Sequence, residues 1–315
     1  MTRRNIQSQL NLRHLRVIKE LDELKLVARV AEALNVTQPA VSKQVAELEN
    51  IVGVPIVSRD RNRLYLTPIG MRLAEHARRV LNQLDRAAFD IDAMASGVSG
   101  SVAIGAVSSV APIVLPGAIA LFKSGAPDAE VSLYEGHFVS LFPQLEAGTI
   151  DLLIARVWQA NELPGVEQMV LLREPIVVVA GPDHPLARHA SVDWSDAIDW
   201  PWILPQANSI ARRAMDALFA EHGLLTPTNT IASLSLSVNL EILRLMPALG
   251  LFPLSLARAH SARGEVVILP LDTQGFLSEA HCYWRRDQTE SNSTLGLFLK
   301  CLRQTSEQRK TIPFG

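Results

Sequence analysis

Between Thr37 and Gln44 the chain sets Thr37-Gln38-Pro39 and Ser42-Lys43-Gln44 close together, a cluster of hydroxyls, carboxamides and one ammonium. Such groups exchange hydrogen bonds but include no nucleophile with its base, so their chemistry is recognition rather than bond making. A carboxamide matches the donor and acceptor on an adenine edge; a hydroxyl reaches phosphate or base; an ammonium takes a phosphate or a guanine. Signatures of catalysis are missing elsewhere: no G-x-S-x-G, G-x-G-x-x-G, P-loop or H-E-x-x-H occurs in the sequence. Ser108 with His137 is the one nucleophile–base pairing worth testing, and no acid partner can be named for it. His184 and His189 in GPDHPLARHA lack a third ligand and read as surface histidines. Cys282 and Cys301 supply neither a metal spacing nor a disulfide framework and read as ordinary half-buried residues. The expectation is a binding protein, not an enzyme, with no metal and no cofactor.

The polar cluster needs a scaffold, and the flanking periodicity provides one. Leu12, Leu15, Val17, Ile18 and Leu21 recur at helical spacing, and so do Val27, Val30, Ala31 and Leu34 over residues 26–34. Asn35 falls at a sharp turn, where its side chain tolerates a left-handed backbone. Thr37 can cap the next helix, and Pro39 is acceptable in its first turn. Val41, Val45 and Leu48 form the buried stripe of that helix, Gln38–Asn50, which leaves Pro39, Lys43 and Ala46 on the opposite face beside Gln38, Ser42 and Glu47. Residues 55–59 and 63–67 then alternate like two strands around an Asp60-Arg61-Asn62 turn, carrying Arg59, Arg61 and Arg63. Three helices and a two-stranded hairpin make a winged helix-turn-helix. Its third helix is expected to fit the DNA major groove, with the hairpin arginines beside the phosphate backbone or the minor groove. Taken singly, Thr37 can be only a cap and Ser42 or Gln44 only a solvated residue; the joint pattern carries the reading of double-stranded DNA as partner, through Thr37, Gln38, Pro39, Ser42, Lys43, Gln44 and the three arginines.

Thr67-Pro68 opens a long helix over about residues 69–95, roughly 40 Å at 1.5 Å per residue. Leu73, Ala77, Val80, Leu84, Ala87, Ile91 and Met94 follow one another at steps of 4 and 3, a heptad seam. Such a seam packs on its own domain or on a second copy of the chain. Its regularity, and the SGVSGS stretch that follows, favour the second, a homodimer or homotetramer.

Charge divides the 315 residues in the same place. Residues 1–95 hold 15 Lys+Arg against 11 Asp+Glu, a balance of +4; the remainder hold 15 against 21, a balance of −6. A basic N-terminal part and an acidic remainder suit different partners. No apolar run is long enough for a membrane span, and the N-terminus lacks a signal-peptide core, so a soluble, cytoplasmic protein is expected with no membrane partner. From Ser101 onward, short apolar strands (SVAIGAV, AEVSLYEG, DLLIARV, PIVVVAG, TIASL, LGLFPL) alternate with helical stretches near 110–124, 138–147, 209–222 and 237–246. That alternation implies a mostly parallel sheet covered by helices, with enough chain for two lobes.

The segment NLRHLRVIKEL…ARVAEALNVTQPAVSKQVAELENIVGVPIVSRD…RLYLTPIG closely resembles the DNA-binding domain of LysR-type transcriptional regulators, and the resemblance continues through the rest of the chain. LRHLRVI, WPWILP and YWRRD are similar to the subgroup typified by the regulator of a sugar-binding protein. Two departures stand out. Leu26-Val27-Ala28 replaces a common Ser-Phe-Thr, and Ile56-Val57-Ser58-Arg59 replaces Leu-Phe-Glu-Arg. The resemblance implies an α/β multidomain chain. Residues 1–68 form the winged helix-turn-helix and residues 69–98 a coiled-coil linker and dimerisation helix. Residues 99–315 form a two-lobed, periplasmic-binding-protein-like α/β effector domain. Lobe 1 covers about 99–160 and 270–305, and lobe 2 about 161–269, the chain leaving the first near 158–163 and returning near 269–275. RNA polymerase is a further expected partner.

Ligands of open parallel sheets sit beyond the carboxyl ends of the strands, and helix N-termini there favour anions. The loops AVSSVAP, YEGHFVS, LPQANSIARR and SLSLS therefore nominate Ser108, Ser109, His137, Phe138, Gln206, Ser209, Ser235 and Ser237, with Arg212 close by. They suit a small organic effector, an anion or a sugar derivative. A transport-type binding protein, the remaining alternative, would need a signal peptide and no helix-turn-helix.

Overall fold

The computed structural model describes residues 8–60, 63–95, 100–157, 163, 165–207, 209–273, 276–286 and 293–310. The chain forms two compact units, one covering residues 1–97 with 146–149, the other 98–145 and 150–315.

In the first unit, α1 (Leu12–Leu24), α2 (Val27–Ala33) and α3 (Gln38–Val52) surround a core of Leu15, Val17, Ile18, Leu21, Val30, Val41, Val45 and Leu48. Local chemistry sets the ends. Asn11 caps α1, its side chain accepting from Arg13 N and His14 N. Leu26 precedes α2 without any side-chain cap, in keeping with the hydroxyl this chain lacks there. Asn35 takes φ 56°, as its position between α2 and α3 requires, and Lys25 takes the same left-handed value between α1 and α2. Thr37 caps α3 through a 3.4 Å bond from Ala40 N, and α3 stops at Gly53, φ +80°.

Strands β1 (Val57–Asp60) and β2 (Arg63–Leu66) pair antiparallel, with Val57 opposite Leu66 and Asp60 opposite Arg63. Asp60 is therefore a strand residue rather than part of the expected turn; its neighbours 61 and 62 lie outside the described residues. The Glu49 carboxylate on α3 accepts from Ile56 N (3.0 Å) and Val57 N (3.3 Å), tying the wing to the helix. Helix α4 (Pro68–Ala95) begins where Thr67 Oγ1 accepts from Gly70 N (3.1 Å) and donates to Pro55 O (3.0 Å). Ala74, Ala77 and Leu81 of α4 are buried against α1, and Arg78 pairs with Asp22 at 2.6 Å. Here the expected seam is corrected. Ala77 is a core residue of its own unit, with Leu73 packed partly into the same core, whereas Val80, Leu84, Ala87 and Ile91 are exposed. The Met94 side chain is outside the described set.

The second unit is built on two sheets that share one strand. The first runs β4 (Glu130–Glu135), β3 (Ser101–Ala106), β5 (Leu152–Val157), β11 (Leu277–Arg285), β6 (Val166–Ala180). β3 is parallel to β4 and β5, while β11 runs antiparallel to β5 and β6. The second sheet continues from the end of β6 through β9 (Leu249–Pro253) and β7 (Trp202–Leu204) to β8 (Thr230–Ala232), with β10 (Val267–Ile268) also on β6. Val166–Pro175 pairs with β11 and Ile176–Ala180 with β9. The change of sheet thus falls inside β6, at Pro175–Ile176, later than the expected crossing at 158–163, of which 158–162 lie outside the described residues.

Helices α5 (Ala111–Gly125), α6 (Phe138–Ala147) and α11 (Ser293–Lys310) accompany the first sheet, Phe122 meeting Phe298 edge-on at 5.3 Å. The short α7 (Trp194–Ala197), α8 (Ile210–Glu221), α9 (Leu236–Leu245) and α10 (Leu254–Ser261) accompany the second. Trp194, Trp202, Phe219 and Met215 are buried in one cluster there. His184 departs from its expected surface role. It is 3% exposed, accepts from Leu186 N through Nδ1 (3.1 Å), and packs edge-on against Trp200 at 4.6 Å. Cys282 and Cys301 are both buried, and burial pushes both thiols up, against thiolate chemistry.

Candidate nucleic-acid interface and effector cleft

Helix α3 carries the polar cluster as its periodicity dictates. Val41, Val45 and Leu48 are 0–7% exposed, so Thr37, Gln38, Pro39, Ser42 and Lys43 must face outward, and all five are exposed. Gln44 is half-buried, and its Oε1 is a buried acceptor without a partner among the described residues. Lys43 stands 78% exposed, 3.9 Å from Glu47 one turn on; the other oxygen of Glu47 lies 3.3 Å from His14 Nε2. Arg59 and Arg63 occupy β1 and β2, but their side chains, like the whole of Arg61, lie outside the described residues. The result is a helix N-terminus that presents carboxamide, hydroxyl and ammonium groups from a rigid support, the arrangement that reads base edges.

A cleft of about 770 Å3 opens in the second unit. Its position follows from topology. β3 lies between its parallel neighbours β4 and β5, and β7 between β8 and β9, so each sheet has a switch point at the carboxyl end of its middle strand. Ser108 and Pro112 follow β3, Gly136 and His137 follow β4, Gln206 follows β7, and Ser233 to Ser237 follow β8; all line the cleft, together with Glu135, Ala232 and Leu240. Ser108 Oγ donates to Leu234 O (3.4 Å), joining the two sides.

Ser108, His137, Gln206, Ser235 and Ser237 are thus brought together as the sequence suggested, and three nominees are not. The Ser109 carbonyl accepts from Arg156 (3.4 Å) beneath the loop. Phe138 stacks on Phe142 at 5.2 Å and meets Tyr283 edge-on, partly buried against the core. Ser209 caps α8, accepting from Arg212 N (3.1 Å) and donating to Gln206 O (2.8 Å). Sequence reasoning missed Glu135, the last residue of β4, which an alternating strand pattern assigns to the sheet. It also missed Ser233, although SLSLS begins beside it.

Two family profiles cover this architecture. The bacterial regulatory helix-turn-helix of the LysR family matches residues 12–71, and the LysR substrate-binding domain matches residues 95–307. The chain belongs to the LysR family of transcriptional regulators. Among curated relatives, the HTH-type transcriptional regulator GbpR of Rhizobium radiobacter is 32% identical over 73% of this chain and 76% of its own. The HTH-type transcriptional regulator CfxR of Cupriavidus necator is 33% identical over 70% and 69%. The regulator also shares its fold with CbnR, a LysR family transcriptional regulator, at TM-score 0.67 and 20% identity over 94% of this chain and 99% of that one. CbnR has also been solved complexed with its target DNA, a structure matched at TM-score 0.66. This LysR regulator is accordingly a DNA-binding transcription factor with an effector-binding domain, and none of its described helices is long and apolar enough to cross a membrane.

Proposed function

We propose that the regulator reads its operator through the α3 face of Thr37, Gln38, Pro39, Ser42, Lys43 and Gln44, with Arg59, Arg61 and Arg63 against the phosphate backbone. We propose too that its effector occupies the cleft of the second unit. The exposed N-terminal face of α3 carries the first reading. The convergence of loops from both sheets on one polar cavity carries the second. The target-DNA complex solved for CbnR, which shares this fold, supports DNA as the partner. Exposed Val80, Leu84, Ala87 and Ile91 on α4 are the surface for a second copy of the chain, which sets two recognition helices on two half-sites. An effector that binds one lobe arrangement better than another shifts that equilibrium and so the hold on the operator; RNA polymerase is the partner that turns this hold into transcription. Arg212, the cation expected near the cleft, is engaged by Asp216 at 2.8 Å.

The test is a pair of substitutions in the full-length protein. Lys43→Ala weakens DNA binding and flattens the salt dependence by about one phosphate contact. Gln38→Ala relaxes sequence preference at a cost of about 1–3 kcal/mol. Unchanged binding by both variants refutes this choice of helix face.

A further inference from the structure

We propose that the cleft takes an uncharged, hydroxyl-rich ligand, a neutral monosaccharide or polyol, and discriminates against the corresponding carboxylate. This rests on the reading of the cleft as the effector site. The argument starts from the charges around it. Among the described residues its lining contains no lysine or arginine; its titratable groups are the imidazole of His137 and one carboxylate, Glu135, which repels an anion. Two arginines near its loops, Arg212 and Arg156, are already engaged. Arg212 is 12% exposed, bound to Asp216 Oδ1 through Nε (2.8 Å) and to Pro205 O through Nη1 (3.3 Å). Arg156, which reaches the Ser109 carbonyl from below, is 4% exposed and bound to Glu174 at 2.6 Å. Neither is free to meet a ligand carboxylate.

Helix N-termini remain. At α5 the amides of Ala111 and Ile113 already bond Val107 O and Val110 O and Pro112 has none, so the terminus of α9, which Ser235 does not cap with its side chain, is the one that offers backbone amides beside the cleft. That terminus by itself favours an anion, but Glu135 lines the same cleft and sets a like charge against it. The same amides serve a neutral hydroxyl oxygen without that repulsion. The side chains fit the same ligand. Ser235 and Ser237 stand 3.3 Å apart, Oγ to Oγ, and present a paired donor–acceptor edge. A carboxylate at Glu135 accepts two vicinal hydroxyls at once, the geometry by which acidic side chains hold a diol. Leu236 and Leu240 offer an apolar wall to the C–H face of a ring.

The experiment titrates the full-length protein with matched pairs: D-glucose with D-gluconate, D-galactose with D-galacturonate, D-ribose with D-ribonate, and ribitol, alongside benzoate and succinate. Calorimetry and tryptophan-detected thermal shifts are the readouts. The expected result is a neutral member that binds at least about tenfold tighter than its acid, and about tenfold more weakly to Glu135→Gln. Tighter binding of an acid, benzoate or succinate than of every neutral member overturns the proposal, as does no shift with any neutral member. Ser237→Trp separates this from failure of the cleft itself, since Ser237 is exposed on α9 and a bulky side chain there fills the cavity. A carboxylate that binds the parent protein and not Ser237→Trp sinks the ligand class alone. Any ligand that binds both equally sits elsewhere and sinks the cleft reading too.

Discussion

Glu174→Leu should destabilise the effector unit by about 3–5 kcal/mol, and Arg156→Met by less. The asymmetry comes from one buried pair. Arg156 lies on β5 opposite Ala280 of β11, two residues from Ser278, and Ser278 lies opposite Glu174 of β6, so the three side chains share one face. Arg156 reaches past β11, giving Nη1 to Ser278 Oγ (2.9 Å) and Nη2 to Glu174 Oε1 (2.6 Å). Glu174 also accepts from Ser255 Oγ (2.9 Å) and Ser255 N (2.5 Å) at the start of α10. Both side chains are 4–5% exposed. Burial pushes the guanidinium below its ordinary pKa and Glu174 pulls it back. With Glu174 gone, that cation is stranded and cannot shed its proton near neutral pH. With Arg156 gone, the carboxylate keeps its two bonds from Ser255, so the loss is smaller. Replacing both partners by Met and Leu leaves no orphan charge and restores most of the stability.

All five tryptophans (Trp158, Trp194, Trp200, Trp202, Trp284) lie in the effector unit, so tryptophan fluorescence follows its unfolding alone. A loss of 3–5 kcal/mol lowers that midpoint by about 10 °C for a unit of this size. A double variant no more stable than Glu174→Leu, or an Arg156→Met loss exceeding that of Glu174→Leu, refutes the reasoning.

Three further perturbations test other parts of the molecule. Leu84→Glu with Ile91→Glu places charge on exposed α4 positions and should shift the protein to monomer in sedimentation while the tryptophan transition stays put; an unchanged oligomer rules out this seam. Gly70→Ala puts a Cβ 2.1 Å from the Ile56 carbonyl, where α4 presses on the wing, and should cost about 1–3 kcal/mol in the first unit. The readout is loss of DNA binding on mild warming with the tryptophan transition unmoved, and undiminished binding would refute it. Desolvation holds His184 below its ordinary pKa of 6.5, so the unfolded chain takes up the proton first. Its contribution to stability is complete above that value and lost as pH falls through the folded pKa. His184→Asn should therefore flatten the fall of the tryptophan midpoint between about pH 7 and 5, and an unchanged slope would place the acid sensitivity elsewhere.

How far the sequence could be read depended on how far apart the cooperating residues lie. The DNA-reading helix is local. Its cap, its stripe and its polar face fall within Thr37–Val52, and a period of 3.6 assigns each residue a side. The linker helix shows the limit of that rule. Periodicity placed Leu73, Ala77, Val80, Leu84 and Ile91 on one seam, but α1 covers Ala77 and leaves Val80 and Leu84 open, because a helix this long changes neighbours along its length. The cleft is assembled from segments more than 120 residues apart, and no spacing encodes it. What reached it was a rule of topology, that loops beyond the carboxyl ends of parallel strands converge.

That rule names loops, not the residues within them. In Ser108-Ser109 one hydroxyl lines the cavity while the next residue offers its carbonyl to a buried arginine. In His137-Phe138 the imidazole faces the cavity and the ring packs against the core. The charge of the site was least legible of all. LPQANSIARR reads as an anion site with an arginine in hand until Asp216 is found 2.8 Å from that arginine, one helical turn on. The pairing is itself an i,i+4 pattern, visible in the sequence and worth reading before a cation is assigned to a ligand. It narrows the chemistry proposed for the cleft from an anion or a sugar derivative to a ligand of uncharged hydroxyl groups.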